Sequence, residues 1–238
     1  MITTAQQRTF LTADWNNLAF LNYVVDPELL LPFVPAGTEL DEHGGKTWAS
    51  VIGFEFNNTH LLGRAIPFHQ SFEEVNLRFY VRRQSRRGVV FIRELVPKFA
   101  VTAIARLVYG ERYSCVPMSH RVDRSADSAS AEFSWGKGAS RCSIALETSC
   151  APYLPAEGSL SQFITEHYWG YALRSGHTVE YQVEHPQWEV QDADVAQFTG
   201  DAAKYYGTEF GEILASAPDS AFLAQGSAVT VFKGTQIT

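Results

Sequence analysis

The stretch Glu74-Val75-Asn76-Leu77-Arg78-Phe79-Tyr80-Val81 decides the fold class of this chain. Side chains of a β-strand point alternately to the two faces of a sheet, so Glu74, Asn76 and Arg78 share one face. The opposite face is wholly apolar and is expected to pack on a core. We expect the polar face to line an internal cavity rather than to meet bulk water, because a charged residue inside a protein is costly unless it is paired or used.

Much of the remaining chain also has the pattern of short strands separated by Gly, Pro, Asn or Ser. The predicted strands are 15–25, 47–56, 74–81, 89–95, 131–135, 141–148, 177–185 and 228–232, the first of which could also be a buried helix. A short helix is predicted at 26–31, and apolar residues at helical spacing predict helices at 98–109 and 207–215. Many short strands with few helices predict a β-barrel or sandwich with covering helices, in one domain of residues 1–238.

The composition limits the kind of protein this chain can be. Of its 238 residues, 45% are hydrophobic and 19% are charged, which is typical of a globular protein. The net charge of -7 argues against a nucleic-acid surface, since phosphate binding needs a concentrated positive field. No stretch approaches the ~18 apolar residues of a membrane span. The three cysteines form no Cys-x-x-Cys pair, so we expect a reduced, cytoplasmic protein without disulfides.

The sequence shows no signature of a cofactor or metal site. Glycine patterns that bind nucleotides and a His-Glu-x-x-His motif are absent, and the seven histidines are dispersed without ligand spacing. We therefore expect no cofactor and no metal, and a small molecule as the ligand. The sequence leaves a homo-oligomer open.

Two polar stretches are expected to meet solvent. The run Arg82-Arg83-Gln84-Ser85-Arg86-Arg87-Gly88 lies between two alternating segments and ends in Gly, which predicts an exposed hairpin turn rather than an anion site. In the predicted strand 177–185, one alternating set is uniformly hydrophilic, which predicts plain solvent exposure. This set is Thr178, Glu180, Gln182 and Glu184.

The stretch Phe163-Ile164-Thr165-Glu166-His167-Tyr168-Trp169-Gly170-Tyr171 is dense in side chains that donate, accept or stack. One interpretation is a pocket wall, with Glu166, His167 and Tyr168 as ligand-binding residues. The other is an aromatic core strand whose polar tips satisfy one another. The sequence leaves both open.

Lys98 differs from the other four lysines. Lys46, Lys137, Lys204 and Lys233 lie in polar or turn-like settings, whereas Lys98 has apolar neighbours at a predicted junction of strand and helix. Desolvation there would favour the neutral, nucleophilic amine. The alternative is a lysine whose stem packs while its ammonium reaches water.

Six short motifs occur in an order that resembles one family of conserved bacterial proteins. The motifs are Trp15-x-x-Leu18 with Asn22-Tyr23, Val34-Pro35-x-Gly37-x-Glu39-Leu40-Asp41, Phe72-x-Glu74-Val75-Asn76-Leu77-Arg78, Ala105-Arg106 with Tyr113, Thr165-Glu166-His167-Tyr168, and Ala224-x-Gly226-Ser227. They span nearly the whole chain. In their order and spacing the chain resembles the uncharacterised YqjF-like family (DUF2071), which is similar to the acetoacetate decarboxylase-like superfamily.

The resemblance implies a fold and a site. The superfamily fold is a closed, cone-shaped antiparallel β-barrel with an internal cavity, so the implied class is α+β, mostly β, with a few covering helices. In the decarboxylase a lysine forms a Schiff base with a β-keto acid beside a glutamate, and Pro97-Lys98 and Phe72-Glu73-Glu74 resemble these two elements. Phe99 stands where the decarboxylase has a second lysine. Arg78 or Arg93 would have to anchor the substrate carboxylate.

These residues support two functions. The first is a small-molecule-binding barrel with an internal polar cavity, in which Asn76, Arg78, Arg93 and residues 166–168 orient the ligand. The second is a lyase that acts on a small keto acid, with Lys98 as the nucleophile and Glu74 as the group that handles the proton. A third, an interaction protein, would need an exposed apolar patch. The missing second lysine and the absence of a cofactor motif rank binding above catalysis.

Overall fold

A computed structural model describes residues 8–99, 113–174 and 176–237 of the chain. Within these ranges the protein is mostly β. The strands are β1 Thr9–Val24, β2 Glu39–Leu40, β3 Glu42–His43, β4 Lys46–Leu61, β5 Arg64–Ala65, β6 Phe72–Arg83, β7 Arg86–Val96, β8 Tyr113–Cys115, β9 Met118–Arg124, β10 Ala129–Trp135, β11 Cys142–Thr148, β12 Trp169–Arg174, β13 His177–Glu184, β14 Val190–Asp192, β15 Val195–Thr199, β16 Ser220–Phe232 and β17 Thr235–Ile237. The helices are α1 Pro27–Leu30, α2 Leu160–Thr165, α3 Ala203–Tyr206 and α4 Thr208–Leu214, with short 3-10 helices at Leu31–Phe33 and Gly138–Ser140.

The strands of the larger sheet pair in a circuit. In order, β16, β1, β4, β6, β7, β12 and β13 are hydrogen-bonded neighbours, and β13 pairs in turn with β16. The prediction of a wholly antiparallel arrangement is wrong at β7, which pairs in parallel with both β12 and β8. Neither strand follows β7 through a hairpin, and a strand that returns after a longer connection can run parallel to its neighbour.

A smaller sheet, in the order β15, β11, β10 and β9, packs over one face of the larger sheet. Gly53 on β4 allows the close approach of the two layers, since a Cβ atom there would lie 2.6 Å from the Phe133 ring. We call the apolar layer between the sheets the outer core. Its buried members include Leu21, Val51, Val75, Leu77, Phe79, Val81, Phe133 and Ile144.

The opposite face of the larger sheet carries a second core, which is richer in aromatic residues and which we call the inner core. Its buried members include Phe20, Ile52, Phe54, Phe56, Phe72, Tyr80 and Trp188. Strand β6 contributes to both cores, because its even-numbered and odd-numbered side chains point in opposite directions. The polar residues Glu74, Asn76 and Arg78 are therefore on the same side as the inner core.

The predicted elements agree with the structure where it describes them. Each predicted strand overlaps an observed strand, and the helix predicted at 207–215 corresponds to α4. Helix α1 begins after Asp26, whose side chain accepts a hydrogen bond from the backbone N–H of Glu28 at 2.9 Å. The helix predicted at 98–109 lies outside the described residues from position 100 onward. No helix in the described ranges is long and apolar enough to cross a membrane.

The segment 163–171 is not the continuous strand that one interpretation of the sequence predicts. Helix α2 ends at Thr165, and β12 begins at Trp169, so the residues between them form a connection. The helix starts where the Ser159 side chain accepts a hydrogen bond from the backbone N–H of Gln162 at 3.2 Å. A local cap therefore overrides the aromatic, strand-like composition.

The prediction of plain solvent exposure for one face of β13 is wrong at its first half. Thr178 is fully buried and Glu180 is 5% exposed, because the segment at Ala36 and the hairpin between β6 and β7 cover them. The Thr178 hydroxyl donates to the Ala36 carbonyl oxygen at 2.9 Å. Arg86 donates to Glu180 at 2.6 Å, and the Tyr171 hydroxyl donates to the other carboxylate oxygen at 3.0 Å.

The arginine hairpin is likewise more than a solvated turn. Arg82 lies 3.1 Å from the Glu39 carboxylate, and Arg87 donates to Asp41 at 2.6 Å. With the contact of Arg86 to Glu180, the hairpin pairs with three carboxylates from two other segments of the chain. Distant acidic partners of this kind leave no local signal in the arginine run itself.

Candidate functional site

A pocket of about 150 Å³ lies on the inner side of the larger sheet. Most of its wall is apolar, and its polar members come together from β6, β7, β8 and the region that follows α2. The polar residues that line it include Glu74, Asn76, Arg78, Glu94, Tyr113, Thr165, His167 and His185. An apolar cavity with a few convergent polar groups is the usual form of a small-molecule site.

Arg78 is the only lysine or arginine among the described residues that line the pocket. Its guanidinium carbon lies 5.5 Å from the ring centres of Phe20 and Tyr80, and one terminal nitrogen donates to the carbonyl oxygen of Ile164 at 3.0 Å. The Nε atom is buried and has no hydrogen-bond partner among the described residues. A half-buried guanidinium held in place with an unused donor is well suited to bind an anion.

Glu74 and Asn76 form a second polar group beside Arg78 on the same strand. Asn76 Nδ2 donates to Glu74 Oε1 at 3.0 Å, and the Tyr113 hydroxyl donates to Glu74 Oε2 at 3.1 Å. Both Glu74 and Asn76 are almost completely buried. Asn76 Oδ1 has no hydrogen-bond partner within the described part of the chain, so it can accept a hydrogen bond from a ligand.

Glu94 reaches the pocket because of an irregularity in β7. Asn76 pairs with Glu94 and Leu77 with Arg93, but Arg78 pairs with Phe91, so β7 has one extra residue between these pairs. This β-bulge shifts the alternation of side chains along the strand. As a result Glu94 joins Phe91 on the pocket side, whereas Arg93 falls opposite the outer-core residue Leu77.

His167 is a completely buried histidine in the pocket wall. Its Nε2 atom lies 3.5 Å from Asp41 Oδ2, and its Nδ1 atom has no hydrogen-bond partner among the described residues. Burial lowers the pKa of His167 to about 4, so the ring is neutral at pH 7. Burial alone would raise the pKa of Asp41, but the neighbouring His167 ring and the hydrogen bond from Arg87 lower it to about 2.

His185 is the second pocket histidine. Its ring stacks on Trp188 with centroids 4.0 Å apart and lies 4.8 Å from the Tyr168 ring. Burial lowers the pKa of His185 to about 4. His167 and His185 are therefore neutral at pH 7, and Arg78 is the only arginine or lysine of the described wall.

The apolar part of the wall is dominated by aromatic rings. Trp15 lies edge-on to Phe54 and Phe56, with centroids 5.4 and 5.7 Å apart. Phe56 and Phe72 stack at 4.6 Å, and Trp15 lies 6.3 Å from Trp188. We call these five residues the aromatic wall. Flat faces and edges are thus available to a ligand on one side of the pocket.

The structure brings together only part of the predicted site. Asn76, Arg78, Glu74 and His167 line the pocket, but Lys98 does not. Lys98 is half-buried just beyond the end of β7, whereas the other four lysines are exposed. It is therefore the least exposed lysine without being part of the described wall.

Three further predicted ligand-binding residues lie away from the pocket. Arg93 is directed from it by the bulge in β7 and donates to the Ser114 hydroxyl at 3.3 Å. Glu166 accepts a hydrogen bond from Gln187 at 2.6 Å, and the Tyr168 ring packs against the His185 ring. Of the segment 166–168, His167 alone lines the pocket.

Several pocket residues could not be found from the sequence. Glu94 faces the pocket because of the bulge in β7, and Tyr113 lies in β8, far from β6 in the sequence. The aromatic wall draws on β1, β4, β6 and the segment before β14. The high aromatic content of the sequence, 13%, hinted at such a wall without assigning its members.

Solved structures with a similar fold define the class of this protein. An enduracididine biosynthesis enzyme, MppR, complexed with pyruvate matches with a TM-score of 0.70 and 13% identity, covering 99% of this chain and 93% of that one. Acetoacetate decarboxylase from Legionella pneumophila matches with a TM-score of 0.70 and 12% identity, covering 100% and 92% of the two chains. At these identities the likeness establishes the fold alone, which is that of acetoacetate decarboxylase-like proteins.

The family is established by the sequence itself. The model of DUF2071, a family described as an uncharacterized conserved protein, matches residues 12–228, so the chain belongs to this family. The uncharacterized protein YqjF of Bacillus subtilis (strain 168) is 28% identical over 189 residues, covering 76% of this chain and 74% of YqjF. The resemblance derived from the six motifs is thereby confirmed.

Proposed function

We propose that this protein binds a small carboxylate or oxo acid in the pocket, with the anionic group of the ligand at Arg78. The observation that carries the proposal is the buried Nε of Arg78, which has no hydrogen-bond partner among the described residues, in a pocket whose described wall holds no other arginine or lysine. An anion there meets a single oriented cation, and Asn76 can accept a hydrogen bond from a hydroxyl or enol group beside it. The pyruvate bound to MppR, a protein with a similar fold, supports this class of ligand.

The pairing pattern supports a closed container for that ligand. We infer that the circuit from β16 through β1, β4, β6, β7, β12 and β13 back to β16 is the closed barrel expected for the family, in one domain of residues 1–238. The inner core and the pocket then lie inside this barrel. The smaller sheet covers part of its outside, so the ligand and the outer core do not compete for the same side chains.

Calorimetric titration of the purified protein with pyruvate, acetoacetate and other short oxo acids tests the proposal. We expect binding by the wild-type protein and a loss of about tenfold or more in Arg78→Met, because a charge-assisted contact is removed. The matched control is Arg121→Met, since Arg121 is an exposed arginine whose partner is Asp123 on the surface. Arg78→Lys keeps the charge without the planar fork and should fall between the two. Absence of binding to any of these acids, or equal binding by Arg78→Met, would overturn the proposal.

The second candidate function is a Schiff-base reaction of a small keto acid at Lys98. One observation favours it: Lys98 is half-buried while the other four lysines are exposed. A lysine amine is the group that forms an imine with a ketone carbonyl. In such a step the amine would attack the ketone carbonyl and lose water to give an imine, which a hydride donor reduces to a stable secondary amine.

Borohydride trapping separates this function from simple binding. The protein is incubated with acetoacetate or pyruvate, reduced, and mapped by peptide mass. The Schiff-base function predicts a single adduct at Lys98 that is lost in Lys98→Arg, with Lys204 as the exposed lysine for comparison. Labelling of Lys98 no stronger than that of Lys204 rejects the reaction and leaves the binding function.

A further inference from the structure

The two parts of the pocket wall differ in chemistry. The polar residues gather around β6 and Arg78, while the aromatic wall of Trp15, Phe54, Phe56, Phe72 and Trp188 forms an apolar compartment of the same pocket. The rings of this wall contact one another at centroid distances between 4.6 and 6.3 Å. An anion at Arg78 fills only the polar part, so the apolar part needs a separate occupant.

The size of the pocket limits that occupant. A volume of about 150 Å³ holds on the order of ten water-sized groups. A three-carbon oxo acid has about six non-hydrogen atoms and would leave the apolar part unfilled, with loss of the contacts that its lining could make. A single six-membered ring added to such an acid gives about twelve non-hydrogen atoms, which is of the order of this volume.

We propose that the ligand is an aryl-substituted small carboxylate, with its carboxylate at Arg78 and its aromatic ring against the aromatic wall. This inference rests on the proposed function, since Arg78 supplies the anion contact in both. Aromatic rings prefer edge-to-face or offset contacts with other rings, and the wall offers both in the Trp15–Phe56 and Phe56–Phe72 pairs. Burial of the ring adds apolar area that pyruvate lacks.

The experiment compares phenylpyruvate with one probe that lacks its ring and one that lacks its oxo-acid group. Phenylpyruvate carries both the ring and the oxo acid, pyruvate lacks the ring, and 2-phenylethanol lacks the carboxylate. We expect phenylpyruvate to bind roughly tenfold to a hundredfold tighter than pyruvate, from the burial of one ring, and 2-phenylethanol to bind more weakly than phenylpyruvate. Quenching of tryptophan fluorescence by the ring-bearing probes, reported by Trp15 and Trp188, provides a second readout.

Substitutions test whether the aromatic wall causes the preference for phenylpyruvate over pyruvate. Phe56→Leu should reduce the ratio between the affinities for phenylpyruvate and pyruvate, because it removes a ring against which the phenyl group packs. The control is Phe198→Leu, which changes a phenylalanine of the smaller sheet that packs edge-on to Trp135. It should leave the ratio as in the wild type.

The outcomes separate this inference from the proposed function. Equal affinities for pyruvate and phenylpyruvate, both dependent on Arg78, would overturn the aryl inference and leave the proposed function standing. Binding of 2-phenylethanol as tightly as phenylpyruvate, without dependence on Arg78, would overturn the proposed function. Binding of none of the probes would overturn both.

Discussion

The outer core and the inner core use the two faces of the same strands for different purposes. Leu77 and Phe79 of β6 are fully buried against the smaller sheet, where the layer is closely packed and apolar. Their neighbours Asn76 and Arg78 face a pocket and each has a buried polar atom with no hydrogen-bond partner in the described part of the chain. Unsatisfied polar groups and empty space both reduce stability, so the outer core stabilises the fold while the inner side is free to bind.

The largest expected effect comes from truncating matched phenylalanines in the two cores. Phe133→Ala removes a fully buried ring of the outer core and should lower the free energy of unfolding by about 3–5 kcal/mol. Phe72→Ala removes a ring that already borders the pocket, and its cost should be smaller by about 1 kcal/mol or more. Chemical denaturation of both variants measures the difference. Equal losses would show that the two cores do not differ in packing.

The pH dependence of stability should come from the pocket side. The folded-state pKa of His167 is about 4, below the value of about 6.5 expected in the unfolded chain. Between pH 6.5 and 4 the unfolded chain binds more protons, so stability falls as the pH falls and His167 accounts for roughly 2–3 kcal/mol of that loss. Asp41, with its pKa of about 2, adds a further loss only below about pH 4.

Denaturation curves at several pH values test this assignment. His167→Gln should reduce the dependence between pH 6.5 and 4 by about half, because one group that gains a proton on unfolding is gone while His185, whose pKa is also about 4, remains. His177→Gln changes an exposed histidine and should leave the dependence unchanged. A profile in which His167→Gln is as steep as the wild type would contradict the assignment.

A smaller effect is expected at the covered part of β13. Glu180→Gln removes the carboxylate that accepts from Arg86 and Tyr171 and should destabilise the protein by about 1–3 kcal/mol. Glu184→Gln lies on the same face of the same strand but is exposed, and it should change stability by less than about 0.5 kcal/mol. Thermal melts of the two variants show whether the loss of stability depends on the burial of the glutamate rather than on the strand face that it occupies.

Local pattern explains why part of the site could be predicted from the sequence. The period of two in β6 is a property of eight consecutive residues, so the shared face of Glu74, Asn76 and Arg78 could be predicted without any knowledge of the fold. The bulge in β7 breaks the same rule, and it separates Glu94 from Arg93 through a register that only pairing with β6 defines. The expected role of Arg93 came from the family resemblance, which carries no information on this register.

Contacts between distant segments explain the rest. Burial of Glu180 depends on the segment at Ala36 and on the hairpin arginines, and the setting of His167 depends on Asp41, which β6 holds through the backbone bond from Asp41 N–H to the Tyr80 carbonyl oxygen. None of these partners is adjacent in sequence. Lys98 illustrates the opposite case, in which apolar neighbours in the sequence correctly indicated reduced exposure but not membership of the pocket wall.

The strands around the circuit of the larger sheet differ in how many residues they pair, and this difference indicates where the sheet opens first. Strands β12 and β13 are joined to each other by six residue pairs, but two pairs connect β12 to β7 and two connect β13 to β16. Local opening of a fold starts where few backbone hydrogen bonds have to break. The connections of β12 to β7 and of β13 to β16 are places of this kind. Trp169, Tyr181 and Val183 of this hairpin line the pocket, so amide exchange at these two seams would report how readily this side of the pocket opens.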